Sequence, residues 1–229
     1  KSNCHLVLSG GGIRWFAHVG VYKALVELWY TITSVAGTSM WSLVGALIAS
    51  GKSPQEIEEL CVKKSLLEYL DLAFWTEGIL SAKKIRSTLK KATDVKYIEE
   101  LQMPFTVCVT DVKAGKAIYY TAWDMAKIVS ASCAVPGIFE PIIYEWKYLI
   151  DGGVTDNMPI NTKRDDKQSL IGVHVNPLWI QESYSVKDIS IISLKVIMFG
   201  YIRLNKYHLL LIIWRPLFQC IKIWAERSI

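Results

Sequence analysis

The sequence contains few of the residues that mark a disulfide-bonded, zinc-binding or redox protein. Its 5 cysteines are scattered without a C-x-x-C pair, and its 4 histidines lie far apart. Such cysteines are typical of reduced, mostly buried thiols rather than of a disulfide framework or a metal site. We therefore expect neither a metal nor a cofactor.

Long uncharged segments are also scarce. The longest one in the C-terminal tail, Tyr207 to Trp214, is far shorter than the roughly 20 residues that cross a bilayer. Leu28 to Gly51 is longer, but it is rich in serine and threonine and turns at a central glycine. No apolar secretory leader opens the chain. We predict no transmembrane helix and expect a cytoplasmic protein, with a peripheral contact to a membrane as an open alternative.

Strong charge is absent as well. The net charge is +5, and the one dense basic stretch before the tail, Ser81 to Lys91, carries no interleaved aromatic residues. A nucleic-acid partner is therefore not expected. With 229 residues, 52% of them hydrophobic, the chain is long enough to bury a sizeable core. We predict a single domain over residues 1–229.

Two strand-to-helix units follow one another at the start of the chain. Leu6 to Ser9 is typical of a short buried strand, and it leads through Gly10-Gly11-Gly12 into a helical pattern. Residues 31–36 are apolar and β-branched, and they lead through Gly37-Thr38-Ser39 into a second helical pattern. Strand, helix, strand, helix predicts an α/β fold with a parallel sheet. Further strand patterns cover residues 105–111, 116–121, 148–151 and 170–176, and a helical pattern covers 124–132.

The serine between the second strand and its helix has the setting of a nucleophile elbow. Gly37-Thr38-Ser39-Met40-Trp41 follows the pattern G-x-S-x-G in all but its last position. A tight turn of this kind lifts the serine hydroxyl above the sheet edge, next to the positive end of the following helix. The alternative for Ser39 alone is an ordinary helix N-cap.

The three glycines after the first strand can form an anion-binding nest. Backbone N–H groups in Gly10-Gly11-Gly12 and the start of the next helix would point at the same negative charge. A dinucleotide site would need a third spaced glycine where Trp15 stands, so that signal is weak. A P-loop is excluded because no Gly-Lys-Ser/Thr follows.

A carboxylate completes the candidate site. Asp151 ends a predicted strand and precedes Gly152-Gly153, so in a parallel sheet it would lie at the edge where ligands bind. It can act as the base for Ser39 if it is buried and within reach. The 4 histidines each fit a structural position better, so we predict a Ser-Asp dyad without histidine. The alternative for Asp151 alone is a turn residue.

Several motifs stand in the same order as in the patatin-like phospholipase family, which this chain resembles from residue 5 to residue 176. They are the strand and glycines of Leu6 to Gly12 with Arg14, the elbow of Gly37 to Met40, the segment Cys133 to Pro141, and Asp151-Gly152-Gly153.

The resemblance implies a three-layer α/β/α fold with a mostly parallel sheet and a lipid acyl hydrolase of the phospholipase A, lysophospholipase or carboxylesterase type. It implies Ser39 as nucleophile and Asp151 as base. It also implies an oxyanion hole made by the backbone amides of Gly10, Gly11 and Gly12, aided by Arg14. The substrate would be a lipid or phospholipid.

Two tryptophans depart from the family pattern. Trp15 and Trp41 flank the site where the family has glycine, and Trp29 lies near a third such position. An indole where backbones should touch is expected to overpack the region and to move the Ser39 hydroxyl away from Asp151. A catalytically impaired lipid-binding or scaffold protein is therefore the alternative function. Because one base can separate glycine and tryptophan codons, a misread codon is the other explanation.

Two segments have open roles. Residues 65–80 are apolar with turn signals and are either a lid over the site or a loop packed on the core. The tail from residue 189 to 229 is apolar and basic, with Glu226 as its lone acid. It either rests on an anionic membrane surface or completes the core.

Overall fold

The computed structural model describes residues 2–11, 16–62, 78–137, 139–163, 168–175 and 189–193. Five α-helices and eight strands are found in these ranges. The strands are β1 (Ser2–Leu8), β2 (Tyr30–Thr38), β3 (Phe105–Asp111), β4 (Lys116–Tyr120), β5 (Ile142–Tyr144), β6 (Lys147–Asp151), β7 (Ser169–His174) and β8 (Ile189–Ser193). The helices are α1 (Phe16–Glu27), α2 (Met40–Ala49), α3 (Pro54–Val62), α4 (Gly78–Thr93) and α5 (Met125–Ser132).

All eight strands belong to one sheet in the order β5-β6-β3-β2-β1-β7-β8, with β4 also paired to β3. The pairings among β3, β2, β1, β7 and β8 are parallel. The pairings of β4 and β6 with β3, and of β5 with β6, are antiparallel. The α/β fold predicted from the alternating strand and helix patterns is confirmed, with a parallel half and an antiparallel half.

Strand β3 has an arrangement that decides where the site lies. Thr38 of β2 pairs with Cys108, and Asp151 of β6 pairs with the next residue, Val109. Strand β4 pairs with both Cys108 and Val109. Since a strand has only two hydrogen-bonding edges, β2 and β6 must share the edge opposite β4, one after the other. The end of β2 therefore meets the end of β6.

Helix α2 is the centre of the helical layer. Its residues from Trp41 to Ala49 are all buried, as expected for a helix that is apolar on every side. It contacts α1, α3, α4 and α5 as well as strands β1, β2 and β3. Gly45 allows close approach to the sheet, because a Cβ there would lie 2.7 Å from the ring of Phe105. A smaller apolar cluster on Val7, Ala36, Ile160 and Leu170 forms separately from this core.

The structure describes only part of the basic tail and of the candidate lid, the two segments whose roles the sequence leaves open. Residues 189–193, at the start of the basic tail, form β8 and pair in parallel with β7, so this part of the tail completes the sheet. Residues 194–229, and residues 63–77 of the candidate lid, lie outside the described part of the chain. Within the described ranges, no helix is long and apolar enough to cross a bilayer.

Tryptophan occupies unusual backbone positions in this fold. Trp29, Trp123 and Trp146 have φ values of 63°, 87° and 64°, in the left-handed region that bulky residues rarely adopt. Their side chains are exposed, Trp146 by 95%, so packing does not compensate for the backbone conformation. Trp41 is different because it is fully buried.

Candidate active site

The shared edge of β3 brings Ser39 and Asp151 together. Ser39 follows the last residue of β2 directly, and Asp151 is the last residue of β6, so the two strand ends face each other. The Ser39 hydroxyl donates a hydrogen bond of 2.5 Å to Oδ2 of Asp151. Each residue is only 6% exposed. The two residues that the sequence singles out from distant positions are thus in direct contact.

The backbone at Ser39 has the strained form of a nucleophile elbow. Its φ is 60° and its ψ is −141°, a combination that residues other than glycine rarely adopt. The turn is tight, because a Cβ on Gly37 would lie 2.9 Å from the carbonyl oxygen of Trp41. The Ser39 side chain makes no capping bond to α2. Ser39 occupies the N-cap position of α2, but its hydroxyl is directed to Asp151 and does not cap the helix.

Asp151 is fixed by three further hydrogen bonds. Its Oδ1 accepts from the N–H of Gly153 at 2.7 Å, its own N–H donates to the carbonyl of Ala134 at 2.9 Å, and its carbonyl accepts from the Thr110 hydroxyl at 2.8 Å. Burial raises the pKa of the Asp151 carboxyl, and the bonds from Ser39 and Gly153 oppose that shift in part. A carboxylate with a raised pKa is a stronger base toward a serine hydroxyl.

Ser132 is a site residue that the sequence did not reveal. Its hydroxyl accepts a hydrogen bond from the N–H of Ser39 at 2.8 Å and donates one to the carbonyl of Cys108 at 2.6 Å. Its position immediately before Cys133, at the start of the segment Cys133 to Pro141, is the only signal in the sequence that could have drawn attention to it.

The glycine nest is joined to the Asp151 loop by Asn157. The N–H of Gly10 donates to the backbone carbonyl of Asn157 at 2.9 Å, and the Asn157 side-chain amide donates to the carbonyl of Gly10 at 3.4 Å. A Cβ on Gly10 would lie 2.3 Å from Oδ1 of Asn157, and one on Gly153 would lie 2.9 Å from it. Both glycines therefore make room for Asn157, which the sequence did not reveal either.

The structure describes only part of the expected oxyanion hole. The Gly10 N–H is bonded to the backbone carbonyl of Asn157, so in this structure it does not point freely at a ligand. Gly11 is half-buried beside it. Gly12, Arg14 and Trp15 lie outside the described residues.

No histidine stands between Ser39 and Asp151, because their side chains bond directly. His18 is fully buried and stacks on Trp41, with ring centroids 3.8 Å apart. Burial lowers the pKa of His18 to about 3, so its imidazole is neutral. His5 is bonded to the Ser34 hydroxyl at 2.5 Å. Within the described ranges, no group of three or more metal-ligating side chains occurs.

Trp41 does not disturb the dyad in the way that its size suggests. Its indole is fully buried and stacks on His18, and its Nε1 has no hydrogen-bond partner among the described residues. The bond between Ser39 and Asp151 is intact with the indole in place. The expected displacement of the Ser39 hydroxyl is therefore wrong.

Comparison with known proteins gives one consistent family. The family model of the patatin-like phospholipases matches residues 6–162. An uncharacterized NTE family protein of Mycobacterium tuberculosis is 34% identical over 157 residues, which are 68% of this chain and 44% of that protein. The human patatin-like phospholipase domain-containing protein 6 is 30% identical over 167 residues, which cover 69% of this chain and 12% of that protein. This chain thus spans less than half the length of these relatives.

Two solved structures share the fold at low sequence identity. VipD from Legionella pneumophila is 15% identical with a TM-score of 0.57, and the alignment covers 83% of this chain and 60% of VipD. ExoU in its complex with SpcU, from the type III secretion system of Pseudomonas aeruginosa, is 14% identical with a TM-score of 0.54. That alignment covers 84% of this chain and 47% of the matched chain.

The raised pKa of Asp151 predicts that Asp151→Asn increases the free energy of unfolding at neutral pH. A carboxyl whose pKa is raised by folding binds its proton more tightly in the native state, so its stabilising contribution is present at low pH and is lost as pH rises through the folded pKa. The neutral amide avoids that loss. The difference in Tm between variant and wild type should therefore be largest at neutral pH and should shrink as pH falls toward about 4, the pKa of an unfolded aspartate.

The measurement is thermal unfolding of both proteins across this pH range, together with ester turnover. Asp111→Asn is the control, because Asp111 is also a buried carboxylate but bonds the backbone of the β3–β4 turn. It should leave turnover near the wild-type value, whereas Asp151→Asn should lose it. An Asp151→Asn protein that is less stable by the same amount at every pH would contradict the account.

Proposed function

This chain belongs to the patatin-like phospholipase family, and from that premise we propose that it hydrolyses carboxylic esters of lipids through an acyl intermediate on Ser39. Asp151 is the base in this proposal. The observation that carries it is the 2.5 Å hydrogen bond between two buried side chains that come from separate strands and 112 positions apart. Membership of the family supports a lipid substrate.

The first half of the reaction forms the acyl-enzyme. Oγ of Ser39 attacks the ester carbonyl carbon while its proton passes to Oδ2 of Asp151. The negative charge moves to the carbonyl oxygen, and the N-terminal end of α2, which begins at Met40 next to the nucleophile, favours that charge. Collapse of the tetrahedral intermediate breaks the ester bond, and the alcohol leaves with the proton held by Asp151.

The second half returns the enzyme to its starting state. Water attacks the acyl carbon and gives its proton to Asp151, which passes it to Oγ of Ser39 as the fatty acid leaves. One carboxylate thus serves as base and then as acid in each half. The hydrogen bond from the Gly153 N–H keeps the other oxygen of Asp151 in place throughout.

Donors to the oxyanion complete the proposal. The amides of Gly11 and Gly12 and the side chain of Arg14 are proposed for this role, while Gly10 acts by holding the nest against Asn157. Preorganised donors of this kind are usually the largest contribution in acyl transfer. The substrate is proposed to be a phospholipid, a lysophospholipid or a simpler ester.

The alternative of a silent scaffold has no support in the geometry, because Trp41 leaves the dyad bonded. The proposed lipid substrate would be met at a membrane surface. The basic residues between 194 and 229 are a candidate contact to that surface.

Replacement of the nucleophile tests the proposal directly. Ser39→Ala should abolish turnover of a soluble p-nitrophenyl ester, because the residual reaction has no nucleophile, while the fold and Tm stay close to wild type. Ser50→Ala is the matched control, since the Ser50 hydroxyl bonds the Leu47 carbonyl at the other end of α2. That variant should keep wild-type turnover. Full turnover in Ser39→Ala would show that the assignment is mistaken.

A further inference from the structure

Strands β2 and β6 lie one after the other along the same edge of β3, so the backbone pairing on that edge is interrupted between them. We call this interruption the break. Strand β2 ends opposite Cys108, and β6 ends opposite Val109. We propose that Ser132 is a positioning residue that closes this break and holds the Ser39 elbow in its reactive conformation. The proposal rests on the proposed function, since it assigns how that same nucleophile is held.

Both hydrogen bonds of the Ser132 hydroxyl are made with backbone groups at this break. It accepts from the Ser39 N–H, in a residue with φ of 60°, and donates to the Cys108 carbonyl. Ser132 itself is fully buried, so water cannot readily replace it. A buried backbone group without a partner is costly. Without the Ser132 hydroxyl, the strained elbow would lose the bond that fixes the orientation of its peptide.

The same short segment also holds the base. Two residues after Ser132, the carbonyl of Ala134 accepts the N–H of Asp151 at 2.9 Å. The chain from Ser132 to Ala134 therefore bonds the backbone of both members of the dyad. It sets their separation in a way that neither β2 nor β6 can, because these two strands meet end to end and do not pair with each other.

One consequence concerns the oxyanion. The N–H of Ser39 is occupied by Ser132, so this amide cannot stabilise the oxyanion, and that task falls to other donors. Loss of Ser132 would act through the geometry of attack. An error near 1 Å in the position of a reacting group can lower a rate by about a hundredfold.

The test compares Ser132→Thr with Ser132→Val. These side chains have nearly the same shape, so any overpacking is shared, and only threonine keeps the hydroxyl. Turnover of a soluble p-nitrophenyl ester should give a kcat that is about tenfold to a hundredfold higher for the threonine variant, with similar KM. Ser130→Ala is the control, since the buried Ser130 hydroxyl bonds the Ala126 carbonyl within α5. It should keep the wild-type kcat. Equal kcat values for the threonine and valine variants would overturn the proposal.

A second measurement does not depend on activity. Amide hydrogen exchange at Ser39 should be faster in Ser132→Val than in Ser132→Thr, because only the latter keeps the acceptor for that N–H. Equal exchange rates would overturn the positioning role even if the enzyme proved inactive on every ester. Absence of ester turnover in the wild type would instead contradict the proposed function. The two failures are therefore distinguishable.

A second inference rests on the tryptophans. The described part of the chain contains four of them, and three have positive φ. Trp29 follows the end of α1 at the position where helices are commonly ended by glycine. Trp146 follows Glu145, which also has positive φ, in the two-residue turn between β5 and β6, where glycine is preferred. Trp41 stands at the last position of the elbow pattern, where glycine is expected, and its buried indole N–H has no hydrogen-bond partner among the described residues.

We infer that the codons for Trp29, Trp41, Trp123 and Trp146 are read as glycine by the cells that make this protein. Tryptophan is not expected by chance at several positions whose backbone or packing favours glycine. If one codon is translated as glycine instead of tryptophan, all of these positions are explained together.

Peptide mass spectrometry of the protein isolated from its natural source tests this inference. Glycine is expected at all four positions, and tryptophan at any of them would overturn the inference. A recombinant comparison adds a physical readout. The Trp29→Gly, Trp123→Gly, Trp146→Gly triple variant should have a higher Tm than the same triple change to alanine, which keeps a Cβ at positive φ. Equal Tm values would show that these positions do not need glycine.

Discussion

The candidate site depends on one constraint, the sharing of a single edge of β3 by two strands of opposite direction. Thr38 and Asp151 pair with neighbouring residues of β3, so the ends of β2 and β6 must come together. An elbow at the end of β2 then places a hydroxyl against the carboxylate at the end of β6. The contact between Ser39 and Asp151 follows from backbone pairing, before any side-chain preference is considered.

This arrangement concentrates strain and burial at one place. Ser39 has a backbone conformation that favours glycine, and the Asp151 carboxyl is held in surroundings that raise its pKa. Both features reduce stability and favour reaction, as is common at functional sites. The apolar helix α2, buried along nearly its whole length, and the sheet beneath it supply the packing that keeps the strained turn in place.

The sequence predicted the parts of the site that local patterns encode. Gly37-Thr38-Ser39 and Asp151-Gly152-Gly153 are short motifs with a direct physical meaning, and the structure brings Ser39 and Asp151 into contact. Ser132 and Asn157 could not be found in this way, because their roles come from gaps in the pairing of β3 and from space left by two glycines. The sequence does not show that His18 offers the Trp41 indole a stacking surface, and the Ser39 hydroxyl remains bonded to Asp151 with that indole in place. Likewise, the sequence does not show that the Gly10 N–H bonds to the carbonyl of Asn157.

The most direct test of the central claim is covalent labelling of the folded protein with a fluorophosphonate, followed by peptide mapping. Such a reagent reacts with a serine hydroxyl that is activated by a neighbouring base. The account predicts one adduct, on Ser39, and its loss when Asp151 is replaced by asparagine. An adduct on another serine, or no adduct in protein shown to be folded, would contradict the account.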